Sequence, residues 1–274
     1  MNSVKLSIIT VNLNNLEGLK RTYESVVCQI FTDYEWIVID GGSTDGSREF
    51  IEQHQDKFAY WCSEPDKGIY NAMNKGIVRA KGEYLNFMNS GDCFACEETL
   101  AGVFGRERTA DILYGYVAVD DVSILTEASR LMKQNIYWFD LIVHTFPHQG
   151  TFIKRATFSI VGLYDERCKI VADWKWFVLA ILKNKVSYQF ISNKIAVIQS
   201  GGISDSADCS IERQEKRKGL FPDYITDEDI LNLTVMSIIQ SSRLTRFLFK
   251  IVKIIAFQIH FIRKKQAIRQ ISLR

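Results

Sequence analysis

Short apolar runs alternate with amphipathic segments in the first 90 residues, and this alternation constrains the fold of the 274-residue chain more than any other feature. Four runs rich in β-branched and aromatic residues predict strands, and three intervening segments with apolar residues at helical spacing predict helices. The strands are predicted at 4–11, 34–40, 58–64 and 83–89, and the helices at 14–30, 46–54 and 69–80. Such alternation predicts a parallel sheet covered on both faces, the α/β class.

Acidic residues stand where these predicted strands end. Asp40 ends the second strand, Asp66 follows the third and Asp92 follows the fourth. Because parallel sheets bind ligands beyond the carboxyl ends of their strands, the three acids are expected to line one crevice. Each also has a structural interpretation, in which Asp40 and Asp92 organise turns and Asp66 is the N-cap of the 69–80 helix. From these segments alone, the two interpretations of Asp40 rank equally, whereas the N-cap interpretation of Asp66 is favoured.

The second half of the chain has a less regular pattern and predicts a smaller mixed layer beside the sheet. The predicted elements are a hairpin with arms at 111–119 and 123–131, an extended segment at 148–155, a helix at 171–184, strands within 186–199, and a turn at 201–204. Polar and then amphipathic helices are predicted from there to the end.

Composition favours a continuous globular unit, because 47% of the residues are hydrophobic and three are proline. The N-terminus lacks the pattern of a signal peptide, so a cytoplasmic protein is expected. The six cysteines follow no disulfide-framework spacing, and reduced thiols are expected.

The C-terminal segment 241–274 differs in charge, with nine Lys or Arg residues and no acid. Its apolar run is interrupted by Lys250, Lys253 and His260, which predicts an amphipathic helix lying on a membrane surface rather than crossing it. A helix packed on the preceding domain and a dimerisation helix are the alternatives, and nucleic acid is not an expected partner. The location expected from this helix is peripheral, on the inner face of the plasma membrane.

Four segments in a fixed order resemble glycosyltransferase family 2. They are "SIITVNLNN", "WIVIDGGSTDGS", "SEPDKGIYNAMNKGIVRAKGEYLNFMNSGD" and "VADWKWFVLAI", and the resemblance covers roughly residues 4–205. It is strongest to bacterial enzymes of O-antigen, capsule and colanic-acid assembly. It implies the Rossmann-like GT-A fold, with a nucleotide-sugar half at 1–105, an acceptor half at 106–240 and the basic helix at 241–274. The implied reaction is inverting transfer of a sugar from a nucleotide donor, UDP-linked, to a lipid-linked or saccharide acceptor in surface polysaccharide biosynthesis.

The resemblance also implies roles for individual residues. Asp173 would be the general base, because a sugar hydroxyl needs a carboxylate to take its proton. Asp92 would bind Mn²⁺ or Mg²⁺, because a hard cation stabilises the charge of a leaving diphosphate. Donor contacts are implied for Val11, Leu13, Asp40, Asp66 and Asn74, and acceptor-side contacts for His148 and Gln149. From the residues alone, a helix N-cap is the favoured role of Asp173, and a buried structural histidine is the alternative for His148.

Three positions depart from the family pattern. Leu13 stands where many relatives have an aromatic residue, Ala172 where many have Glu, and Gly91 where many have a second acid. With one acid, phosphate oxygens and water would have to complete the cation's shell. The competing interpretation is a non-catalytic nucleotide-sugar-binding or membrane-scaffold protein with the same fold.

Overall fold

The computed structural model describes residues 4–120, 141, 145–199 and 207–220. The alternation predicted for the first 90 residues is confirmed. The elements are β1 (Leu6–Asn12), α1 (Leu16–Val27), β2 (Tyr34–Asp40), α2 (Ser47–Gln53), β3 (Tyr60–Ser63), α3 (Ile69–Arg79) and β4 (Tyr84–Phe87). Every residue of β1 is buried, as expected for a central strand covered on both faces.

The second half adds shorter strands in mixed directions. Its elements are β5 (Cys93–Phe94), α4 (Thr99–Phe104), β6 (Ile112–Val119), β7 (Thr151–Lys154), α5 (Arg155–Val161), α6 (Ala172–Val178), β8 (Tyr188–Ile198) and α7 (Ala207–Leu220). The predicted arm at 111–119 is β6, whereas the arm at 123–131, the turn at 201–204 and the basic segment 241–274 lie outside the described residues.

One sheet joins the two halves, with the order β3-β2-β1-β4-β7-β6-β8-β5 in the described part of the chain. β1, β2, β3 and β4 run parallel, and β7 pairs antiparallel with both β4 and β6. β8 is parallel to β6 and antiparallel to β5. Pairing of Asn12 with Asp40, and of Asp40 with Ser63, brings three polar side chains together at the carboxyl ends of the parallel strands.

The helix predicted at 171–184 is α-helical at Ala172–Val178 and continues as a π-helical turn at Leu179–Lys183. Two buried tryptophans anchor it: Trp174 donates from Nε1 to the Leu141 carbonyl and Trp176 to the Gly162 carbonyl, each at 2.8 Å. The N-cap is Val171, so the interpretation of Asp173 as an N-cap is wrong. No helix within the described ranges is long and apolar enough to span a membrane.

Candidate active site

Asp92 and Asp173, which are distant in sequence, both contact the adjacent residues His148 and Gln149. Gln149 Nε2 donates to Asp92 Oδ2 at 2.8 Å, and His148 Nδ1 lies 3.5 Å from Asp173 Oδ2. His148 and Gln149 begin a 3-10 turn, His148–Gly150, that leads into β7. Since β7 pairs with β4, the sheet brings this turn to the polypeptide that follows β4. Two carboxylates, one from each half of the chain, therefore face one short turn.

The turn that carries Asp92 is held from α1 and from the end of β8. Thr22, fully buried, donates from Oγ1 to the Asp92 carbonyl at 2.7 Å and accepts from the Gly91 N–H at 3.1 Å. The Gln199 N–H donates to Asp92 Oδ1 at 3.2 Å. Burial raises the pKa of Asp92, and the Gln149 amide and nearby His148 offset part of that rise. The Asp92 carboxylate is 8% exposed and is fixed in place.

The backbone at Gly91 disfavours a side chain. Its φ of 102° lies in the left-handed region, which favours glycine and strains other residues. A Cβ at Gly91 would also meet Gln199 Oε1, the flexible end of a side chain that would have to move. The backbone conformation is therefore the main physical reason for glycine at position 91.

Asp173 lies in the first turn of α6 and is 9% exposed. Its Oδ1 accepts from the Trp174 N–H at 2.8 Å and lies 3.0 Å from the Tyr70 hydroxyl, whose one proton it shares with the closer Ile170 carbonyl. Burial raises the pKa of Tyr70 well above its ordinary value, which keeps the phenol protonated as a donor. Oδ2 has the longer contact, to His148, and is the less engaged of the two oxygens.

His148 connects Asp173 to the polypeptide after β4. His148 Nε2 lies 3.0 Å from Asn89 Nδ2, and with the amide in this orientation the ring accepts at Nε2 and points Nδ1–H toward Asp173. Asn89 Oδ1 is then buried with no hydrogen-bond partner among the described residues. A buried amide oxygen without a partner is costly unless a ligand satisfies it.

Asp40 is buried at the end of β2, where its carboxylate organises the following turn. It accepts five hydrogen bonds, from Asn12 Nδ2, Ser43 Oγ, the Gly42 and Ser43 N–H groups, and Ser63 Oγ. Burial raises the pKa of Asp40, but the hydrogen bonds from Ser43, Ser63 and Asn12 outweigh it and lower the pKa overall. This geometry supports the turn interpretation, and the contact of Asp40 with the nucleotide donor stays a prediction.

Leu13 and Asp66 both lie close to Gly41. A Cβ at Gly41 would approach Asp66 Oδ2 to 2.5 Å and Leu13 Cδ1 to 3.2 Å. Leu13 is 57% exposed, whereas Val11 is buried within β1. Asp66 Oδ1 accepts from the Gly68 N–H at 2.8 Å, and Gly68 is the N-cap of α3. The N-cap interpretation of Asp66 is therefore wrong, because its carboxylate closes the turn before the helix.

Asn74 is buried on α3 and is bound to the loop that precedes α6. Its Nδ2 donates to the Tyr164 carbonyl and to Glu166 Oε1, each at 2.9 Å, and its Oδ1 accepts from the Tyr164 N–H at 3.0 Å. The structure thus places Asn74 in contacts with the second half of the chain. Its predicted contact with a donor remains a prediction.

The donor set around Asp92 fits a hard cation shared with a substrate rather than an all-protein metal site. Within the described ranges, no group of three or more His, Cys, Asp or Glu side chains could hold a metal ion. Asp92 supplies a carboxylate, and Asn89 Oδ1 is a buried oxygen without a partner among these residues. Mg²⁺ is commonly bound by one or two carboxylates together with substrate phosphates and water.

The chain matches known families and folds. The model of "Glycosyl transferase family 2" matches residues 7–160, more than half of the chain, and the chain belongs to this family. An uncharacterized glycosyltransferase of Mycobacterium tuberculosis, Rv1514c, is 34% identical over 182 residues, which cover 65% of this chain and 69% of the relative. A PGL/p-HBAD biosynthesis glycosyltransferase of Mycobacterium bovis is 27% identical over 212 residues, covering 73% and 79%.

Solved structures show that the fold is GT-A. The S. aureus TarS fragment 1–349 superposes with a TM-score of 0.60 at 21% identity, covering 72% of this chain and 60% of the fragment. The chain thus spans less than two thirds of that fragment. The mannosyltransferase PcManGT from Pyrobaculum calidifontis, in complex with GDP-Man and Mn²⁺, gives 0.56 at 15% identity, covering 92% and 80%. The predicted α/β class, GT-A fold and family are confirmed.

Sequence reasoning missed three residues that hold the two acids. Tyr70 and Thr22 were visible as polar groups on the buried faces of α3 and α1, where a hydroxyl needs a hydrogen-bond partner. Gln199 follows β8, and nothing in its local sequence relates it to Asp92. The partner of each is set by the tertiary fold.

Proposed function

We propose that this chain is an inverting glycosyltransferase that moves a hexose or N-acetylhexosamine from a UDP-linked donor to a lipid-linked or saccharide acceptor of a surface polysaccharide. The observation that carries the proposal is the contact of Asp92 and Asp173 with the adjacent residues His148 and Gln149. Support for the donor class comes from TarS, solved with UDP and with UDP-GlcNAc. Support for the product class comes from the relative named for PGL/p-HBAD biosynthesis.

Asp173 is proposed as the general base. Its Oδ1 is engaged by Tyr70 and the Trp174 N–H, whereas Oδ2 has one longer contact with His148. We therefore assign Oδ2 as the atom that takes the proton of the attacking hydroxyl. A single displacement on the face opposite the leaving diphosphate inverts the anomeric centre without a sugar-enzyme intermediate. His148 and Gln149 lie between the two carboxylates, which suits their proposed contacts on the acceptor side.

On the donor side, Asp92 is proposed to hold Mn²⁺ or Mg²⁺ together with Asn89 Oδ1, diphosphate oxygens and water. When bound, the cation supplies positive charge that stabilises the leaving nucleoside diphosphate. The Leu13 side chain and the Asp66 carboxylate, both close to Gly41, form the proposed rim of the nucleoside pocket, and Val11 is a further proposed contact. A contact of Asp40 with the nucleobase would replace one of the five hydrogen bonds that Asp40 accepts. A contact of Asn74 with the nucleotide sugar would compete with its hydrogen bonds to Tyr164 and Glu166.

The basic segment 241–274 is proposed to hold the protein on the inner face of the plasma membrane, where a lipid-linked acceptor would lie. Each Lys or Arg near an anionic surface contributes about 1 kcal/mol. Removal of residues 241–274 should release the protein from phosphatidylglycerol vesicles in a sedimentation assay. Undiminished vesicle binding by the truncated chain would contradict this role of the segment.

The function is tested by a thermal-shift screen with Mn²⁺ and a panel of UDP-glucose, UDP-galactose, UDP-GlcNAc, UDP-glucuronic acid and GDP-mannose. A specific donor at 100 times its Kd adds about 2.7 kcal/mol to the free energy of unfolding, or roughly 5–10 °C in Tm. Release of UDP from the stabilising donor is then followed. Binding of UDP without hydrolysis or transfer from any donor would favour the non-catalytic scaffold.

A further inference from the structure

A carboxylate on α7 holds the backbone immediately before α6. Glu212 Oε1 accepts from the Lys169 N–H at 2.6 Å, and its Oε2 accepts from the N–H groups of Ile170 at 2.6 Å and Val171 at 3.2 Å. Asp173 follows two residues after Val171. One side chain therefore satisfies three consecutive N–H groups directly upstream of the proposed base.

These bonds give the segment before α6 charged acceptors that the side chains of 169–171 do not supply. The N-cap residue Val171 has no side chain that can accept a hydrogen bond. Hydrogen bonds to an ionised carboxylate are roughly twice as strong as neutral ones, and a negative charge near the start of a helix is favourable. The carboxylate belongs to a different helix, which links the segment that precedes Asp173 to α7.

Ile170 is held from both sides. Its N–H donates to Glu212, and its carbonyl accepts from the Tyr70 hydroxyl, which also contacts Asp173 Oδ1. Glu212 and Tyr70 thus act on the same peptide segment and, through it, on the same carboxylate. Movement of 169–171 would change both the direction of Asp173 and its contact with Tyr70.

Another residue of α7 lies close to Asp173. Cys209, about one turn before Glu212, is buried, and burial together with the negative charge of Asp173 raises the pKa of its thiol. Gln199, which follows β8, also contacts the site, because its N–H donates to Asp92 Oδ1.

We propose that Glu212 is a positioning residue for the transfer step, which fixes 169–171 and thereby holds Asp173 Oδ2 in reach of the acceptor hydroxyl. This inference rests on the proposed role of Asp173 as the base. Glu212 does not touch the reacting atoms, so its loss should lower kcat and leave the affinity for the donor nucleotide unchanged. Displacement of a catalytic group by about 1 Å costs on the order of 10²-fold in rate.

The test compares Glu212→Gln with Glu215→Gln, an exposed acid on the same helix, in the full chain. In Glu212→Gln one oxygen becomes an NH₂ donor facing backbone N–H groups, and we expect kcat to fall roughly 10- to 100-fold with an unchanged Kd for UDP and Mn²⁺. Glu215→Gln should match wild type. Glu212→Asp keeps the charge on a shorter side chain and should recover part of the lost kcat. Rates are measured with the UDP-sugar that wild type turns over fastest in the screening panel.

Hydrogen exchange supplies a readout that does not depend on activity. Glu212→Gln should speed amide exchange in peptides covering 169–171 and leave peptides around Asp92 unchanged. If Glu212→Gln keeps the kcat and the amide exchange of wild type, the inference is overturned. A loss of kcat in Glu215→Gln equal to that in Glu212→Gln would overturn it as well. Asp173→Asn is assayed in parallel. If it is inactive while Glu212→Gln is normal, the positioning role alone is wrong, whereas an active Asp173→Asn removes the base and the positioning role together.

Discussion

The two carboxylates of the candidate site are held in different ways. Asp92 sits in a turn whose backbone is bonded to a hydroxyl of the neighbouring α1 and whose side chain contacts Gln149. Asp173 sits on a short helix whose preceding loop is held by side chains from α3 and α7. The position of Asp92 thus depends on a turn after β4 that is held from α1, from the turn before β7 and from the residue after β8. The position of Asp173 depends on hydrogen bonds to the loop before its helix.

The largest effect expected from this comparison is on Asp173. In Asp173→Asn the amide oxygen can still accept from Tyr70 and the Trp174 N–H, so the local structure should persist. The variant has lost the proton acceptor, and we expect kcat for transfer to fall roughly 10²- to 10⁴-fold with UDP affinity unchanged. Steady-state kinetics and calorimetric titration with UDP and Mn²⁺ measure the two quantities. A near-normal transfer rate would refute the assignment of Asp173 as the base.

A change at Asp92 should weaken the metal-dependent binding of UDP, whereas the change at Asp173 lowers kcat and leaves UDP binding unchanged. Asp92→Ala removes the carboxylate proposed to hold the cation, so the gain in UDP affinity produced by Mn²⁺ should disappear, a loss of about tenfold or more for each 1.4 kcal/mol of cation-mediated binding. Titrations of UDP with Mn²⁺ and with a chelator give this gain directly. If the Mn²⁺-dependent gain survives in Asp92→Ala, the cation is held elsewhere.

The difference between the halves also explains what sequence could predict. The β1 to β4 segments have strong periodicity, so the parallel strands and the polar side chains at their carboxyl ends could be predicted from strand order alone. The helix carrying Asp173 was predicted, but its support by Tyr70 and Glu212 was not, because residues far apart in sequence become neighbours through the packing of α3 and α7. No local pattern specifies that pairing.

Thr22 offers a test of the local support of Asp92. Thr22→Val keeps the shape of the side chain but leaves the buried Gly91 N–H without its acceptor, which should lower the free energy of unfolding by about 1–3 kcal/mol. Because this turn carries Asp92, the Mn²⁺-dependent affinity for UDP should fall as well, while Thr22→Ser should retain both properties. Urea unfolding and UDP titration are the measurements. Equal behaviour of the Val and Ser variants would show that the hydroxyl does not hold the turn.

Asp40 and Asp92 should contribute to stability with opposite dependence on pH. The pKa of Asp40 is lowered by folding, so its ionised form stabilises the protein above the ordinary aspartate pKa, and this contribution is lost as pH falls through the lower, folded value. The pKa of Asp92 is raised, so without metal its contribution declines as pH rises from the ordinary value through the folded one. Urea unfolding of Asp40→Asn, Asp92→Asn and wild type at a series of pH values on both sides of the ordinary aspartate pKa, about 4, measures the difference. The free energy of unfolding of Asp40→Asn should be about 1–3 kcal/mol lower than that of wild type at neutral pH, and the difference should shrink in acid. Asp92→Asn should be most stable relative to wild type at neutral pH. If the free energies of unfolding of both variants, relative to wild type, change with pH in the same direction, the pKa values of Asp40 and Asp92 are not shifted in opposite directions.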